Sequence, residues 1–217
     1  MQYCKMKKEP IILIGAGGHC ISCIDVIEST EKYNIIGILD HPEKRGTKVL
    51  EYPIIGSDDD IPELIKSCKN FLITVGQIKS PKIRQNIYKI VKESGGLLPV
   101  VISPSAYVSQ HSRIEEGTIV MHHVMINAAA SAGICCIINS KALIEHEASI
   151  GDFCHISTAA CINGQVTVGA NTFIGSNTVV GNNLTVSENV IIAAGSQVLK
   201  SICRPGIYIG NPLRKIR

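Results

Sequence analysis

The chain has 217 residues, of which 45% are hydrophobic, and it contains no Trp, so many aliphatic side chains are available for its core. The net charge is only +3 and the basic residues are scattered, which excludes an electrostatic footprint for nucleic acid. The lysine-bearing stretch Met1–Pro10 is followed by only four apolar residues, too few for a secretory signal, and no segment is long enough to insert into a membrane.

The nine Cys residues share no spacing typical of a disulfide framework. We therefore expect reduced thiols and a cytoplasmic protein. Cys20 and Cys23 are spaced like half of a zinc site, but no second pair has that spacing, and we expect no metal. Cys154, which adjoins the histidine discussed below, is expected to pack rather than to act as a nucleophile.

Residues 1–98 are predicted to form a small α/β domain of the Rossmann-like type. The apolar run Ile11–Ile14 indicates a buried strand, the loop Gly15-Ala-Gly-Gly-His19 follows it, and a helix is predicted from Cys20 to Ser29. This arrangement directs backbone N–H groups and a helix N-terminus at an anionic group. Position 20 is Cys where a dinucleotide fingerprint has its third glycine, which favours a smaller nucleotide ligand over NAD.

Further strands and helices alternate along the rest of this domain. Strand Ile35–Leu39 ends at Asp40. The Asp40 carboxylate has two interpretations: it binds the ribose or base of a nucleotide, or it is a turn or cap residue. The remaining predicted elements are a helix over Asp58–Ser67, a strand over Phe71–Val75 that ends at Gly76, and a helix over Lys82–Glu93. Alternating strands and helices predict a small parallel sheet with right-handed crossovers.

Residues 99–217 contain an unbroken six-residue repeat. Stepping by six from Ile102 to Val198 gives 17 positions, of which 16 are Ile or Val, and the fourth residue after each is usually small. A helix of period 3.6 cannot keep this register on one face, whereas short strands joined at regular corners can. Such a repeat indicates a solenoid, and three hexads form one triangular coil of a parallel β-helix.

Histidines interrupt the small polar residues expected at the corners of the coils. His146 lies between Glu145 and Glu147, and a carboxylate beside an imidazole fixes its tautomer, as a general base requires. No function is expected of His111 or His122. With 18 residues per coil, His146 and His155 are half a coil apart, so they share a site only across an interface. The triangular cross-section favours a trimer.

Three features together resemble a known family. They are the hexads followed by Pro205-Gly-Ile-Tyr-Ile-Gly-Asn-Pro-Leu213, the loop Gly15–His19, and the stretch from Ile144 to His155. They resemble the sialic acid O-acetyltransferase family of left-handed β-helix, or hexapeptide-repeat, acyltransferases. Within it they are similar to the nucleotide-aminosugar N-acetyltransferases that make bacillosamine and perosamine derivatives. The resemblance implies a left-handed coil and a homotrimer with active sites at the subunit interfaces.

The resemblance also implies roles for particular residues. His146 corresponds to the general base and Glu147 to the acid that tunes it, while His155, Ser176 and Ala194 correspond to positions along the acetyl-CoA groove. The nucleotide-sugar substrate would contact Gly17, Gly18, His19, Asp40, His41 and Gly76. Members of the family often have an acidic residue at position 41 and glycine at position 194, so this chain departs from the pattern at both.

The resemblance implies an acetyl-CoA-dependent N-acetyltransferase that acts on the 4-amino group of a UDP- or GDP-linked amino-dideoxy sugar for bacterial surface glycans. O-acetylation of a sialic or legionaminic-type acid is the nearest alternative, since the same base serves both acceptors. A non-catalytic sugar-nucleotide scaffold is an alternative from another class. A zinc hydrolase of the γ-carbonic-anhydrase kind is disfavoured, because no two His residues have the spacing of five found in that family.

Overall fold

The computed structural model of the protein describes residues 8–211 and 213–217. Most of the stretch Met1–Pro10, considered above as a signal, lies outside the described residues, as does Pro212 of the C-terminal motif. No helix within the described part of the chain is long and apolar enough to cross a membrane. The cytoplasmic location inferred from the cysteines stays a prediction.

The chain divides into two compact units. The first comprises residues up to Gly76 together with Asn86–Pro99, and the second comprises Gln77–Gln85 together with Val100–Arg217. Gln77–Gln85, which the sequence placed in the amino-terminal domain, thus groups with the second unit.

The first unit contains an α/β fold. Its elements in chain order are β1 (Glu9–Ile14), α1 (Gly18–Thr30), β2 (Tyr33–Leu39), a 3-10 turn (Pro42–Lys44), β3 (Lys48–Val49), β4 (Tyr52–Gly56), a 3-10 turn (Asp58–Asp60), α2 (Ile61–Leu64), β5 (Asn70–Ile73) and α3 (Lys82–Glu93), whose residues from Asn86 onward belong to this unit. The strand order is β3-β4-β2-β1-β5, with parallel pairing except between β3 and β4. The central strand β1 is fully buried over Ile11–Ile14, as its apolar sequence predicts.

Two local predictions for this unit were incomplete. The helix expected over Asp58–Ser67 is a 3-10 turn and the single turn of α2. Ser57 and Asp60 form a capping box at the start of the turn, and Ser67 Oγ donates to the Leu64 carbonyl at the end of α2. The short antiparallel edge hairpin of β3 and β4 was not predicted, because strands of two and five residues carry almost no periodic signal.

The second unit contains the predicted parallel β-helix. Its strands are β6 (Val101–Ile102), β7 (Tyr107–Val108), β8 (Arg113–Ile114), β9 (Ile119–Val120), β10 (Met125–Ile126), β11 (Ser131–Ala132), β12 (Ile137–Ile138), β13 (Leu143–Ile144), β14 (Ser149–Ile150), β15 (His155–Ile156), β16 (Cys161–Ile162), β17 (Thr167–Val168), β18 (Phe173–Ile174), β19 (Val179–Val180), β20 (Thr185–Val186), β21 (Val190–Ile192), β22 (Gln197–Val198), β23 (Gly206–Ile209) and β24 (Arg214–Lys215). Strands β6 to β22 pair in parallel with the strand 18 residues away, whereas β23 pairs in parallel with β21 in a shorter register and antiparallel with β24. The anchors from Val120 to Val198 are buried. The left-handed sense of the coil stays a prediction.

The corners of the coils repeat one backbone conformation. The third residue after the anchor has a positive φ in each hexad from Gly117 to Gly195, including Glu147 at 59° and Gln165 at 60°. Four successive corners near the carboxyl end place Asn there, the residue that tolerates this conformation best after glycine. From Gly117 to Gly195 the six-residue repeat is therefore set by a left-handed residue at each corner as well as by the buried aliphatic anchor.

The three faces of the β-helix carry different outward side chains. The face of β8, β11, β14, β17 and β20 presents Arg, Ser and Thr. The face of β6, β9, β12, β15, β18 and β21 presents a covered column, buried at Ile119, Ile137 and His155. The face of β7, β10, β13, β16, β19 and β22, here called the β7 face, presents an apolar column that includes Tyr107 and Met125, which are 58% and 45% exposed.

Candidate active site

The predicted nucleotide residues of the first unit lie at one edge of its sheet. Gly17, Gly18 and His19 follow β1, Asp40 and His41 follow β2, and Gly76 follows β5. These three strands are adjacent and parallel, so their carboxyl ends meet at the same edge, where the strand order reverses around β1. An added Cβ at Gly76 would lie 3.5 Å from the His19 Cβ, which shows that these two segments are neighbours.

Gly15 makes the tight turn at the end of β1. Its φ is +111°, and a Cβ built on it would lie 2.5 Å from Val75 Cγ2 and 2.8 Å from the Val75 nitrogen. The Thr74 hydroxyl donates to the Gly15 carbonyl at 2.6 Å, and Gly15 N–H donates to the Leu39 carbonyl at 2.8 Å. The fold itself therefore requires glycine at this position.

Asp40 holds the glycine loop from the neighbouring strand. One carboxylate oxygen accepts from Ala16 N–H at 2.5 Å, and the other accepts from His41 N–H at 2.7 Å and pairs with Lys44 Nζ at 3.0 Å. Burial raises the pKa of Asp40, but the His41 and Ala16 hydrogen bonds and the Lys44 charge outweigh it and lower this pKa below its ordinary value. Both oxygens have partners within the fold, which agrees with the cap interpretation of Asp40. The ribose interpretation stays a prediction, because Oδ2 can accept a second hydrogen bond.

Gly17 and Gly18, in contrast to Gly15, face open space. Neither has a positive φ, and an added Cβ at either position would meet no atom within 4 Å. Gly17 is the N-cap of α1, and no side chain among the described residues caps it. The first backbone N–H groups of α1 are thus directed outward without a side-chain cap, in the arrangement that binds anionic groups.

His146 and Glu147 occupy the corner that follows β13. The imidazole Nδ1 is 3.1 Å from Glu147 Oε2, and both side chains are more than half exposed. Because a carboxylate only accepts, Nδ1 carries the hydrogen and Nε2 presents a lone pair when the ring is neutral. The hydrogen bond to His146 lowers the pKa of Glu147, and a second bond from Gln165 adds to this effect, so Glu147 is ionised near neutral pH.

Glu145, the other acidic neighbour of His146, is directed elsewhere. Its Oε2 accepts from Asn127 Nδ2 at 2.7 Å and from the backbone N–H of His146 at 3.3 Å. Only one of the two flanking carboxylates therefore contacts the imidazole, and Glu145 ties the corner to the preceding coil.

His155 lies on β15, buried to 8% exposure. Its Nδ1 is 2.7 Å from the Gln77 carbonyl and its Nε2 is 3.2 Å from Asn139 Nδ2. A carbonyl only accepts, so Nδ1 carries the hydrogen and Nε2 accepts from the Asn139 amide. Burial lowers the pKa of His155 to about 4, although the Gln77 carbonyl opposes this, and the Arg84 charge lowers it further. The ring is neutral, with its one N–H already donated.

Ser176 and Ala194 lie one coil apart on the corner column that follows the β15, β18 and β21 strands. Ser176 Oγ is 2.9 Å from Ser157 Oγ, and Gly195 N–H donates to the Ser176 carbonyl at 2.8 Å. Ser176 is half-buried and Ala194 is exposed. These two positions and His155 therefore lie along one side of the β-helix, on a different side from His146.

Comparison with known proteins gives consistent matches over the chain. Residues 10–91 match the PglD N-terminal domain family. Perosamine N-acetyltransferase from Caulobacter crescentus, as a histidine variant in complex with CoA and GDP-perosamine, matches with a TM-score of 0.90 and 27% identity over 98% of both chains. The acetyltransferase domain of PglB from Neisseria gonorrhoeae FA1090, in complex with acetyl coenzyme A, matches at 0.89 and 27% identity, covering 97% of this chain and 100% of that one. WeeI from Acinetobacter baumannii AYE shares the fold at 0.84 and 20% identity, over 96% and 100% of the two chains.

The chain is an acyltransferase with the fold of these acetyltransferases. It is similar to the perosamine N-acetyltransferase and to the PglB acetyltransferase domain, in agreement with the resemblance of its motifs. In this acyltransferase the structure brings His146 and Glu147 into contact, and it gathers the six predicted nucleotide residues at one sheet edge.

Three parts of the site were not found from the sequence of this acyltransferase. They are Gln77 and Asn139, which fix the tautomer of His155, and Gln165, which donates to Glu147. Gln165 was within reach of prediction, because residues 18 apart are stacked in successive coils. Gln77 was not, since no periodic signal connects it with β15.

Burial keeps Cys154 and Cys20, two thiols of the acyltransferase near these residues, in the protonated form. Burial raises the pKa of Cys154 well above its ordinary value, and its Sγ contacts the Gly169 carbonyl at 3.1 Å. Burial likewise raises the pKa of Cys20 to about 11, and Cys23 Sγ contacts His19 Nε2 at 3.4 Å. Among residues 8–211 and 213–217, no three His, Cys, Asp or Glu side chains are grouped to hold a metal ion.

Proposed function

We propose that the protein transfers the acetyl group of acetyl-CoA to the 4-amino group of an amino-dideoxy sugar linked to UDP or GDP, with His146 as the general base. The observation that carries this proposal is the 3.1 Å contact between His146 Nδ1 and Glu147 Oε2 on an exposed corner. The contact leaves the Nε2 lone pair to accept a proton. A base positioned in this way contributes about 10²–10⁴-fold to a rate.

The proposed transfer has two steps, the attack of the sugar amine on the thioester and the departure of CoA. The sugar amine nitrogen forms a bond to the thioester carbon as His146 Nε2 takes the proton from that nitrogen. The carbon–sulfur bond then breaks, and the imidazolium returns the proton to the CoA sulfur. Glu147, which is ionised, stabilises the imidazolium in between. No cysteine nucleophile is needed, because the thioester is already activated.

The developing oxyanion is proposed to be held by a backbone N–H group. The alternative donor is the ring N–H of His155. The single N–H of the neutral His155 ring is donated to the Gln77 carbonyl, and its Nε2 is an acceptor. An oxyanion placed against that Nε2 would meet a lone pair rather than a donor. His155 is instead proposed to line the acetyl-CoA groove with Ser176 and Ala194.

The first unit is proposed to bind the nucleotide part of the sugar substrate. Gly17 and Gly18 have no conformational or steric need to be glycine in this fold, whereas a Cβ there would stand between the backbone N–H groups and a bound phosphate. His19, His41 and Gly76 lie at the same sheet edge, and Asp40 holds the loop in place.

A pair of glycine variants tests this nucleotide site. Gly18→Ala should keep or slightly raise thermal stability, since it replaces glycine in a helix, yet raise the KM for the nucleotide sugar. The KM for acetyl-CoA should stay unchanged. An unchanged KM for the nucleotide sugar in a correctly folded Gly18→Ala protein would contradict the proposal.

The assembly is proposed to be a homotrimer that uses the β7 face. That face presents Tyr107, Met125 and Val179 with 40–58% exposure. Its apolar column contrasts with the polar column on the neighbouring β8 face of the same coils. In this proposal a second copy of the chain packs against the β7 face. His146 lies on the corner next to this face and His155 lies on another side, so the two histidines share a site only between two copies.

Light scattering on matched variants tests the trimer. Met125→Lys should lower the mass from three chains toward one, and Ser131→Lys, in the same coil but on the polar face, should not. A wild-type protein of one chain, or dissociation by both variants alike, would contradict the proposal.

The reaction is tested by free-thiol release from acetyl-CoA. The acceptors are UDP- and GDP-linked 4-amino-4,6-dideoxy sugars, with CMP-sialic acid and free sialic acid alongside. Rapid release with one amino sugar, lost in His146→Ala but retained in His111→Ala, is the expected result. His111 is the matched control because it follows β7 on the same corner column, two coils before Glu147.

The other outcomes of the same assay identify the alternatives. Release only with a sialic-type acid would establish O-acetylation. Binding of a nucleotide sugar without any release, and full biological activity of His146→Ala, would establish a non-catalytic scaffold.

A further inference from the structure

The corner one coil beyond His146 and Glu147 lies directly against them. Residues 18 apart are stacked in this β-helix, so Gly164 lies next to His146 and Gln165 next to Glu147. The backbone confirms the register, because Gln165 N–H donates to the His146 carbonyl at 3.0 Å. Any side chain at positions 164 and 165 therefore contacts the two groups to which the reaction is assigned.

Because Gly164 has no side chain, the imidazole of His146 can occupy the space beside it. A Cβ built on Gly164 would lie 2.6 Å from His146 Nε2 and 2.7 Å from its Cε1. These distances are shorter than real carbon contacts allow, so the ring would have to leave its position. The conflict involves only the end of a flexible side chain, and the φ of Gly164 lies outside the left-handed region. Nothing in the backbone requires glycine here, and the ring of His146 alone excludes a larger residue.

Gln165 fixes the carboxylate that orients the ring. Its Nε2 donates to Glu147 Oε2 at 3.1 Å, and this is the same oxygen that lies 3.1 Å from His146 Nδ1. The hydrogen bond from Gln165 is the second cause, after His146, that lowers the pKa of Glu147. One oxygen is thus held from two sides, which restricts the rotation of an otherwise exposed carboxylate.

We propose that Gly164 and Gln165 are positioning residues for the transfer reaction, Gly164 by admitting the His146 ring against the coil and Gln165 by holding Glu147 in place. This inference rests on the proposed role of His146 as the base. In this inference, residues of the next coil align Nε2 of His146. The groups needed for the reaction then come from two hexads that are 18 residues apart. Neither residue is required to touch a substrate.

Two variants and one matched control test the inference. Gly164→Ala should lower kcat by about 100-fold, as a misplaced catalytic group does, and leave both KM values within about twofold. Gln165→Met keeps the length of the side chain without its donor, and it should lower kcat by about fivefold. Gly181→Ala is the control. A Cβ at position 181 would make ordinary contacts, at 3.4 Å with the Val198 carbonyl and 3.5 Å with Leu184 Cδ1, so this variant should leave kcat unchanged.

A double variant separates positioning from damage to the fold. Residues that act through one group show non-additive effects, so Gly164→Ala should cause no further loss in a His146→Ala background. Melting temperatures of all variants should stay close to that of the wild type. These results together would support the inference.

Three results would overturn it. Gly164→Ala with near wild-type kcat, beside an inactive His146→Ala, would remove the positioning role and leave the proposed function standing. Loss of kcat in Gly164→Ala and Gly181→Ala alike, with lowered melting temperatures, would show general damage instead. A fully active His146→Ala would refute the proposed base itself, and the inference with it.

Discussion

Acidification should destabilise the β-helix unit through His155. Burial lowers the pKa of His155 to about 4, despite the Gln77 carbonyl, and the Arg84 charge contributes in the same direction. In the unfolded chain an imidazole takes up its proton near pH 6.5. Between these two values the unfolded state binds a proton that the folded state excludes. The contribution of the neutral His155 ring to the free energy of unfolding is therefore complete above about pH 6.5, and it is lost as the pH falls toward about 4.

The magnitude follows from the size of the pKa shift. One unit corresponds to about 1.4 kcal/mol, so the shift of His155 costs about 2 kcal/mol at about pH 5 and about 3 kcal/mol at about pH 4. His155→Asn is the informative variant, because its amide N–H takes the place of Nδ1–H toward the Gln77 carbonyl and does not ionise.

Urea unfolding of the wild type and of His155→Asn over this pH range measures the effect. Carboxylates titrate in both proteins, so their contributions cancel in the difference between the two free energies of unfolding. We expect that difference to change by about 2 kcal/mol between about pH 7.5 and about pH 5, with the wild type losing its advantage. A difference that stays constant with pH would refute the assignment of a neutral, buried imidazole.

Four further variants test other features of the structure. Gly15→Ala should destabilise the first unit by at least about 2 kcal/mol in denaturant unfolding, because its positive φ and its approach to Val75 both exclude a Cβ. Cys154→Ala should keep its acetyl transfer rate and lose about 1–2 kcal/mol of stability, whereas an inactive, folded variant would indicate covalent catalysis. Glu147→Asn should raise the melting temperature and lower kcat, while Lys141→Asn, at the equivalent corner one hexad earlier, should raise the melting temperature and keep kcat. If both corner variants keep their activity, Glu147 has no role in the transfer.

The β-helix could be predicted from sequence because its geometry imposes one rule at every step. A buried aliphatic at the anchor and a small side chain four residues later recur from Ile102 to Val198, and the strands follow in that register. The Rossmann-like part was less fully predictable. Strands β1, β2 and β5 and helices α1 and α3 have strong apolar signals, but the hairpin of β3 and β4 does not.

The chemical states of the candidate catalytic groups could not be predicted from the sequence. Sequence context and the family resemblance point to His146 and Glu147 as candidates, and the structure places these two side chains in contact. The tautomer of His155 depends on the carbonyl of Gln77, which is 78 residues away in the chain. The engagement of both Asp40 oxygens likewise depends on the fold of the glycine loop. Hydrogen-bond partners that distant in sequence leave no local pattern to detect.

Glu147 shows where conformational preference and chemistry conflict. The corner position that it occupies has a positive φ in every hexad from Gly117 to Gly195, and glycine or asparagine would satisfy that backbone with less strain. The same corner conformation directs the Glu147 side chain to His146 Nδ1 and to the donor Gln165 of the next coil. A residue chosen for the corner alone would lack the reach for both contacts. Other corners, such as Lys141 and Phe153, also carry residues other than glycine or asparagine, but at Glu147 the side chain contacts the proposed base. The adjoining Gly164 and Gln165 accommodate that arrangement.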